Sequence, residues 1–528
     1  MDNDNIRVLE DYQIEYLRDE SRRVGSASTI SFPKTHSEVV DIVLSLAKSQ
    51  SLITIQGART GITAGAVPEG GHIMNLMKMN KIIGLRYNEG ENNFYMRVQP
   101  GTLLTDIKKV LESKSFNTQS WSQGSIKALE TLKQRGKYFF SPDPTETTAS
   151  IGGMTSCNAS GACSFKYGST RDYIEAIKVV LADGDILELK RGGAKAYGRK
   201  FSIKLNSGKI LNGNIASYNM PNVKNASGYY AKDDMEIIDL FIGCEGTLGI
   251  ITEVEIKIIP KPEFIYGLTS FFKNEEDALK FVRAVRGDSG GYKTKPAALE
   301  YFNHNALKLL KSQKITNPSF NKLPEIYSHY HTAIYTEYHG ESRDSTLKMI
   351  MNASELMTSC GGYDGDTWVA TNERDMERLH FFRHSTPEAV NLIIDSRRII
   401  NPSITKLGTD MAVQDEYLEK VVNLYNTSMD EGKFESVMFG HIGNNHIHVN
   451  IIPRDMQEYY KGKELYNSIA KKVIAMGGTV SAEHGIGKMK TALLKEMFGE
   501  AGIMEMITLK ELFDPELRLS KGNIFNNN

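Results

Sequence analysis

Hydrophobic and polar positions alternate along this chain with two periods, and the switches between them outline its elements. Residues 29–32 and 52–55 read as short strands, and 37–49 reads as an amphipathic helix with Ser37 as its N-cap. The second strand runs straight into a glycine-rich loop at 57–65. The alternation of strand, helix and loop continues to about residue 260, an α+β pattern. Pro260 and Pro262 punctuate the chain there. A second block over 263–500 follows, with long helical patterns at 275–285 and 417–425 and a strand at 331–338. The stretch before residue 31 reads as a helical segment, and no internal repeat is found. At 528 residues the chain exceeds the roughly 250–300 at which one hydrophobic core stops growing, so at least two domains are expected.

Composition narrows the class without naming it. Hydrophobic residues make up 40% and charged residues 24%, the usage of a folded globular protein rather than a disordered one. Lys plus Arg number 63 against 64 Asp plus Glu, so no global field recruits nucleic acid. Cys157, Cys163, Cys244 and Cys360 lie too far apart for a CxxC pair, which favours reduced, buried thiols over a zinc ribbon or a disulfide scaffold. The N-terminus lacks a basic region leading into an apolar stretch, and no apolar run approaches the roughly 20 residues of a membrane helix. A cytoplasmic protein without a transmembrane segment is the expectation. One stretch departs from the neutral average: 190–209 carries seven Lys or Arg residues. It reads as a solvated hairpin, with a docking surface for an acidic partner or lipid headgroups as the alternative.

The 45 glycines are the informative excess, because they cluster. The first cluster holds Gln56, Gly57, Ala58, Arg59, Thr60, Gly61, Thr63 and Ala64. The second holds Pro142, Asp143, Thr148, Gly152, Gly153, Ser156, Asn158, Ala159, Gly161, Tyr167 and Gly168, and the third Glu245, Gly246, Gly249 and Ile251. Small residues after a strand expose successive N–H groups that donate to phosphate oxygens. Neither GxGxxG nor GxxxxGK[ST] is present, so this is not a dinucleotide fingerprint or a P-loop. Three such segments flanking strands suit a long ligand threaded between two subdomains.

A second constellation lies in the C-terminal block. Strict alternation puts His446, His448 and Asn450 on one face of a strand and Ile447, Val449 and Ile451 on the other. His441 precedes a Gly-Asn-Asn turn that can fold it back beside His448, and a loop further on carries Glu483 and His484. Two imidazoles and one carboxylate form a recognised divalent-metal set that leaves positions open for substrate.

The order of the three glycine segments, with the lead-in Ser31, Phe32, Pro33, Lys34, Thr35, resembles the FAD-binding domain of the vanillyl-alcohol oxidase and p-cresol methylhydroxylase superfamily. Over 31–525 the chain is most similar to the branch of glycolate oxidase FAD subunits, D-lactate dehydrogenases and D-2-hydroxyglutarate dehydrogenases. The resemblance implies an α+β protein: a two-subdomain FAD-binding PCMH-type domain over 31–262, then an α+β substrate or cap domain of the FAD-linked oxidase C-terminal type over 263–500. A segment over 501–528 would return to the flavin.

By the same resemblance, the three glycine segments hold FAD. His441, His448 and Glu483 bind a divalent metal (Zn, Mn or Fe), His484 is the base, and Arg383 takes a substrate carboxylate. Lys406 is a weaker candidate for that carboxylate. Pro387 stands where a hydroxyl-bearing residue is common in the family, and Asn444, Asn445 and His446 stand where Asp-Gly-Asn is common. His446 is accordingly an extra ligand, a second proton acceptor or a specificity residue. The first loop has no His or Cys, and His72 reads as part of a strand, so FAD is expected to be non-covalent. The implied activity is oxidation of a D-2-hydroxy acid, with electrons passed to a protein or quinone acceptor. A homodimer and peripheral attachment to the inner face of the membrane are further expectations. Two competing readings stand beside it: a non-redox flavoenzyme of the alkyl-dihydroxyacetonephosphate synthase type, and a non-catalytic flavoprotein subunit.

Overall fold

A computed structural model describes residues 4–288 and 295–526. The first block builds a four-stranded sheet, a six-stranded sheet and a separate two-stranded hairpin. In the four-stranded sheet, Thr29–Ser31, His72–Asn75 and Ile53–Gln56 lie side by side in parallel, with Arg7–Val8 added antiparallel at the edge. Helix His36–Ala47 connects the first two parallel strands in sequence and buries Val39, Ile42, Val43 and Leu46 against this sheet. Its N-cap is Thr35, not Ser37: the Thr35 hydroxyl accepts from the Glu38 N–H at 3.2 Å. The Thr35-x-x-Glu38 spacing of a capping box outweighs the Ser two residues on, because Thr35 already has extended backbone after Pro33.

The larger sheet of this block is antiparallel, in the order Ile82–Asn88, Asn93–Val98, Ile250–Pro260, Ile174–Val180, Ile186–Lys190. Its central strand is the last in sequence, so the block closes when the chain returns through it. The N-terminal stretch is not the helical segment that the sequence suggests. It forms the edge strand and the 3-10 helix Asp11–Leu17, and Tyr16 from that helix covers the first glycine loop, with the Arg59 guanidinium 4.2 Å from the centre of its ring.

The basic stretch enters the hairpin Lys200–Lys204 with Ile210–Asn214. Phe201, Ile203 and Leu211 face inward while Lys200 and Lys204 face solvent. Acids distant in sequence neutralise the cations: Arg191 meets Asp239 and Glu236, and Lys209 meets Asp183.

Between Pro260 and Phe264 the chain changes sheet. The second sheet has seven antiparallel strands in the order Thr367–Ala370, Phe264–Phe272, Thr332–Gly340, Ala298–Phe302, Ser436–His441, His446–Ile451, Leu407–Gly408. Helices including His304–Thr316 and Glu373–Arg398 pack on it through Leu307, Leu310, Leu379 and Phe382. Residues near 500 do not begin a new unit. They lie within Thr491–Phe513, which kinks at Gly499. Beyond that helix, Ser520 N–H donates to the Ile53 carbonyl and Ile53 N–H to the Arg518 carbonyl, which ties the C-terminus to the small sheet of the first block.

No helix among the described residues is long and apolar enough to cross a membrane. Gly161 shows how tightly these segments fit: a Cβ there would lie 1.8 Å from the Asp143 carbonyl oxygen, whereas nothing lies within 4 Å of one at Gly61. Gly161→Ala is expected to lower unfolding stability by about 2 kcal/mol or more. Gly61→Ala, measured in the same thermal or urea series, should stay within about 0.5 kcal/mol of the parent.

Candidate active site

The histidine strand is one arm of a hairpin in which His441 pairs with His446 and Phe439 with His448. The turn between the arms, Ile442–Asn444, ends on Asn445 in the left-handed region (φ 50°), a conformation Asn tolerates better than most residues. Asn445 is also tied down by its side chain, which donates to the Val413 carbonyl (3.2 Å) and to Asp415 (2.8 Å) and accepts from Arg286 (2.6 Å). The hairpin thus brings three imidazoles into one group. With Glu483, their ligand atoms all lie within 4.8 Å of one another. The sequence-based trio of His441, His448 and Glu483 is brought together, and His446 joins it.

The outer nitrogens of two of these rings are held. His441 Nδ1 donates to Glu300 at 2.7 Å, and His448 Nδ1 donates to the Thr409 carbonyl at 2.7 Å. Each bond occupies Nδ1 and leaves Nε2 turned toward the cluster, the arrangement typical of metal-binding histidines. His441 Nε2 is 3.3 Å from Glu483 Oε2, and His446 Nδ1 is 3.5 Å from the same oxygen. A divalent ion fits this donor set.

One carboxylate outside the sequence-based list organises the rest. Asp410, fully buried, accepts from the Ser481 hydroxyl (2.7 Å), the Glu483 N–H (3.2 Å), the His484 N–H (3.0 Å) and Lys490 Nζ (2.6 Å). It also faces His446 Nε2 at 3.0 Å and His484 Nδ1 at 3.4 Å. The strand alternation that exposed the histidines gave no signal for Asp410, which lies just past the two-residue edge strand Leu407–Gly408. Lys224 was also missed. Its buried ammonium reaches Glu483 at 3.4 Å from a loop of the first block.

Burial and charge set the protonation of the group. Burial opposes a charge on His441, but Glu300 and Glu483 outweigh it and lift its pKa to about 9. Burial lowers His446 to about 4 against the pull of Asp410, and burial with its imidazole neighbours pushes His448 well below the usual range. Burial also lowers His484, with Asp410 opposing. Asp410 and Glu483 stay well below ordinary carboxylates despite burial, because His484 and Lys490 surround the first and Lys224 and His441 the second.

The glycine segments converge on this same loop. Ser150 Oγ accepts from Ala58 and Gly153 N–H, joining the first loop to helix Ile151–Cys157. Glu245 N–H donates to the Ser156 carbonyl. The Glu245 carboxylate accepts from the N–H groups of Ile486 (2.6 Å) and Gly487 (2.7 Å), while Thr63 donates to the His484 carbonyl and accepts from Lys488 N–H. At Gly487, with φ 52°, a Cβ would sit 2.0 Å from the Thr63 carbonyl oxygen. Asn523 near the C-terminus closes the ring, donating to the Gly65 and Glu245 carbonyls.

Other candidates in these segments have protein partners. Gln56 is bonded to the Tyr16 and Ala66 carbonyls and to Asn75, Thr148 to Glu146, Asn158 to Arg171 N–H, and Tyr167 to His339. Asp143 pairs with Lys108, the Ala159 carbonyl accepts from Thr170, and Ile251 lies in the central strand. A Cβ at Gly57, Gly152, Gly168 or Gly249 would meet protein atoms within 2.5 Å, so these glycines let segments pack against each other. Gly246 adopts φ 72°, with Pro142 and Ala64 buried beside these loops and Thr60 half-exposed. Buried hydroxyls at Ser141, Ser160 and Ser520 and Nη1 of Arg59 have no protein partner, which fits a ligand rich in polar oxygens such as FAD. His72 Nδ1 and Nε2 are bonded to Thr29 and Ser31 inside the small sheet.

Arg383 and His441 both stabilise the charge of the buried Glu300 carboxylate. Arg383 lines a cavity of about 200 Å³ with Asp143, Cys163, Glu337 and His380. Burial works against its charge, but Glu300, Tyr335 and Glu337 raise its pKa above the usual value. Pro387, one turn later in helix Glu373–Arg398, has no N–H to donate to the Arg383 carbonyl. Lys406 stands immediately before the edge strand, its pKa lowered by burial.

Solved structures share this architecture. p-Cresol methylhydroxylase with substrate bound aligns at a TM-score of 0.66 and 14% identity, covering 99% of this chain and 94% of that one. An alkyldihydroxyacetonephosphate synthase aligns at 0.64 and 15%, covering 98% and 82%. The fold is therefore the two-domain FAD-binding PCMH type. The model of the FAD linked oxidases, C-terminal domain, matches residues 261–524, and that of the FAD binding domain matches 27–129 and 125–190, so the chain belongs to the FAD-linked oxidases. Among curated relatives, a D-lactate dehydrogenase of Anaerostipes hadrus is 28% identical (98% of this chain, 94% of the relative). The glycolate oxidase subunit GlcD of Bacillus subtilis is 26% identical (93% and 88%), and a D-2-hydroxyglutarate dehydrogenase of Stutzerimonas stutzeri 24% (97% and 94%).

Two predictions follow from the buried carboxylates. Asp410→Asn leaves Lys490 without its charged partner and is expected to cost about 3–5 kcal/mol of stability in denaturant unfolding. Asp410→Asn combined with Lys490→Met should recover part of that loss. Burial raises Glu245 to about 7 in the fold against 4.5 when free, with the Ile486 and Gly487 N–H groups opposing. Its folded form therefore favours the proton, and its contribution to stability should fall by on the order of 3 kcal/mol as pH rises from about 4.5 through 7. Glu245→Gln should flatten that part of the pH–stability curve.

Proposed function

We propose that this FAD-linked oxidase is a metal-dependent dehydrogenase of a D-2-hydroxy acid of the lactate, 2-hydroxyglutarate or glycolate class. The observation that carries the reading is the junction itself: a loop that carries Glu483 of the donor cluster and the neighbouring His484, and that is hydrogen-bonded directly to the first glycine loop of the FAD-binding domain. The names of the relatives in three of these substrate classes support it. His441, His448 and Glu483 would hold the divalent ion, and the three glycine segments a non-covalent FAD. When bound, the ion polarises the substrate hydroxyl as a Lewis acid and FAD accepts the hydride.

The chain's own residues do the rest. His484 is the base: its Nδ1 faces Asp410, its ring stacks on His448 at a centroid distance of 5.4 Å, and its side chain is 30% exposed, leaving Nε2 to take the hydroxyl proton. Asp410 orients that ring and stabilises it once protonated, as a carboxylate does for a catalytic imidazole. Arg383 binds the substrate carboxylate through its guanidinium. The 2-oxo acid leaves, and electrons pass from the protein to an external protein or quinone acceptor.

Anaerobic addition of D-lactate, D-2-hydroxyglutarate or glycolate to the flavin-loaded protein tests this directly. One of them is expected to bleach the flavin, and a chelator should abolish the bleaching. His484→Ala should slow it by about 10²–10⁴-fold. Bleaching that survives both chelation and His484→Ala overturns the mechanism. Turnover of a dihydroxyacetone-phosphate substrate without bleaching would point to the non-redox reaction instead.

A further inference from the structure

His446 lies within the donor cluster, and nothing in the chemistry above uses it. We propose that His446 is a fourth protein ligand, so that this centre holds its metal with three imidazoles and one carboxylate. The inference rests on the reading of the cluster as a metal centre and adds one residue to it.

The first observation is burial without satisfaction. The His446 side chain has no exposure, yet its Nδ1 has no hydrogen-bond partner in the protein, while Nε2 lies 3.0 Å from Asp410. Buried polar atoms are nearly always paired, so an unsatisfied imidazole aimed into a cluster of donors calls for a partner. Its strand face already dictates the aim, because His446 and His448 project to the same side.

The spacings are the second observation. His446 Nδ1 and His441 Nε2 lie 3.5 and 3.3 Å from the same oxygen, Glu483 Oε2. These are long for hydrogen bonds, which cluster at about 2.7–3.2 Å. They match two donors sharing one ion: at metal–ligand distances of about 2.0–2.2 Å, octahedral to tetrahedral angles put neighbouring ligands about 2.8–3.6 Å apart. The outer shell repeats the same pattern. Glu300 backs His441, the Thr409 carbonyl backs His448, and Asp410 faces the far nitrogen of His446. Each imidazole thus has an acceptor behind it and a lone pair ahead, as metal-bound histidines do.

Two consequences separate this centre from one with two imidazoles. Four protein donors would leave fewer positions on the ion for a substrate than three would. A third imidazole also shifts preference toward Zn²⁺, Co²⁺ or Fe²⁺ and away from Mn²⁺, which favours oxygen donors.

The test is metal binding, read without turnover. Chelator-stripped, flavin-loaded protein is titrated with Co²⁺ under visible absorption, then with Zn²⁺ and Mn²⁺ in competition, for the parent and for His446→Asn, which keeps a polar side chain but removes the imidazole. The parent is expected to bind Co²⁺ and Zn²⁺ about 10–100-fold more tightly than the variant, the scale seen when a shell residue is lost, with a smaller difference for Mn²⁺ and a changed Co²⁺ spectrum. X-ray absorption at the Zn edge of the parent, which needs no variant, should count three imidazoles. Affinities within two-fold and an unchanged spectrum, or two imidazoles at the edge, would overturn the role of His446 while leaving the metal centre standing. A parent that binds none of the three ions would overturn the metal centre itself, with Lys224 then the cation that neutralises Glu483.

Discussion

Asp410 is the group on which the site depends. A carboxylate with no exposure costs several kcal/mol to bury unless donors and cations surround it. Here they do, and all come from the site: Lys490, the Ser481 hydroxyl, and the N–H groups of Glu483 and His484. Satisfying one buried charge therefore places the 481–490 loop, and with it Glu483 and His484, against the histidine strand. The backbone on either side of Asp410 reinforces this. Ala482 N–H donates to the Asp410 carbonyl, and Ala412 bridges both His446 and Thr479.

The same economy joins the two domains. Glu245, from the third glycine segment, is buried and accepts the N–H groups of Ile486 and Gly487, and Thr63 from the first segment bonds both sides of that turn. One loop of the second domain thus carries Glu483 and His484 at one end and locks onto the FAD-binding domain at the other. A rigid connection of this kind holds two reacting partners in register, which is where much of an enzyme's rate advantage arises. Many of the clustered glycines serve this packing, since their missing side chains are the space that neighbouring backbone occupies.

Much of this was legible from local patterns. The strand at 29–31, the helix that follows it, the glycine loop, and the shared face of His446 and His448 all express periodicity, which depends only on near neighbours in sequence. The trio of His441, His448 and Glu483 was legible by resemblance. The misreadings have a common origin. Ser37 lost the cap to Thr35 because backbone conformation at Pro33 decided it, and the N-terminal stretch became an edge strand because the Thr29–Ser31 edge was available to pair with.

By itself the sequence determined most of the elements, which face of the histidine strand is polar, and where the glycines and histidines cluster. The tertiary structure alone decided that Asp410, Glu300 and Lys224 surround those residues and that His446 turns its nitrogens into the cluster. These groups lie 36 or more residues from His446 along the chain. Their meeting follows from strand order and from the need to neutralise buried charge, two constraints that act through space and leave no periodic trace in the sequence.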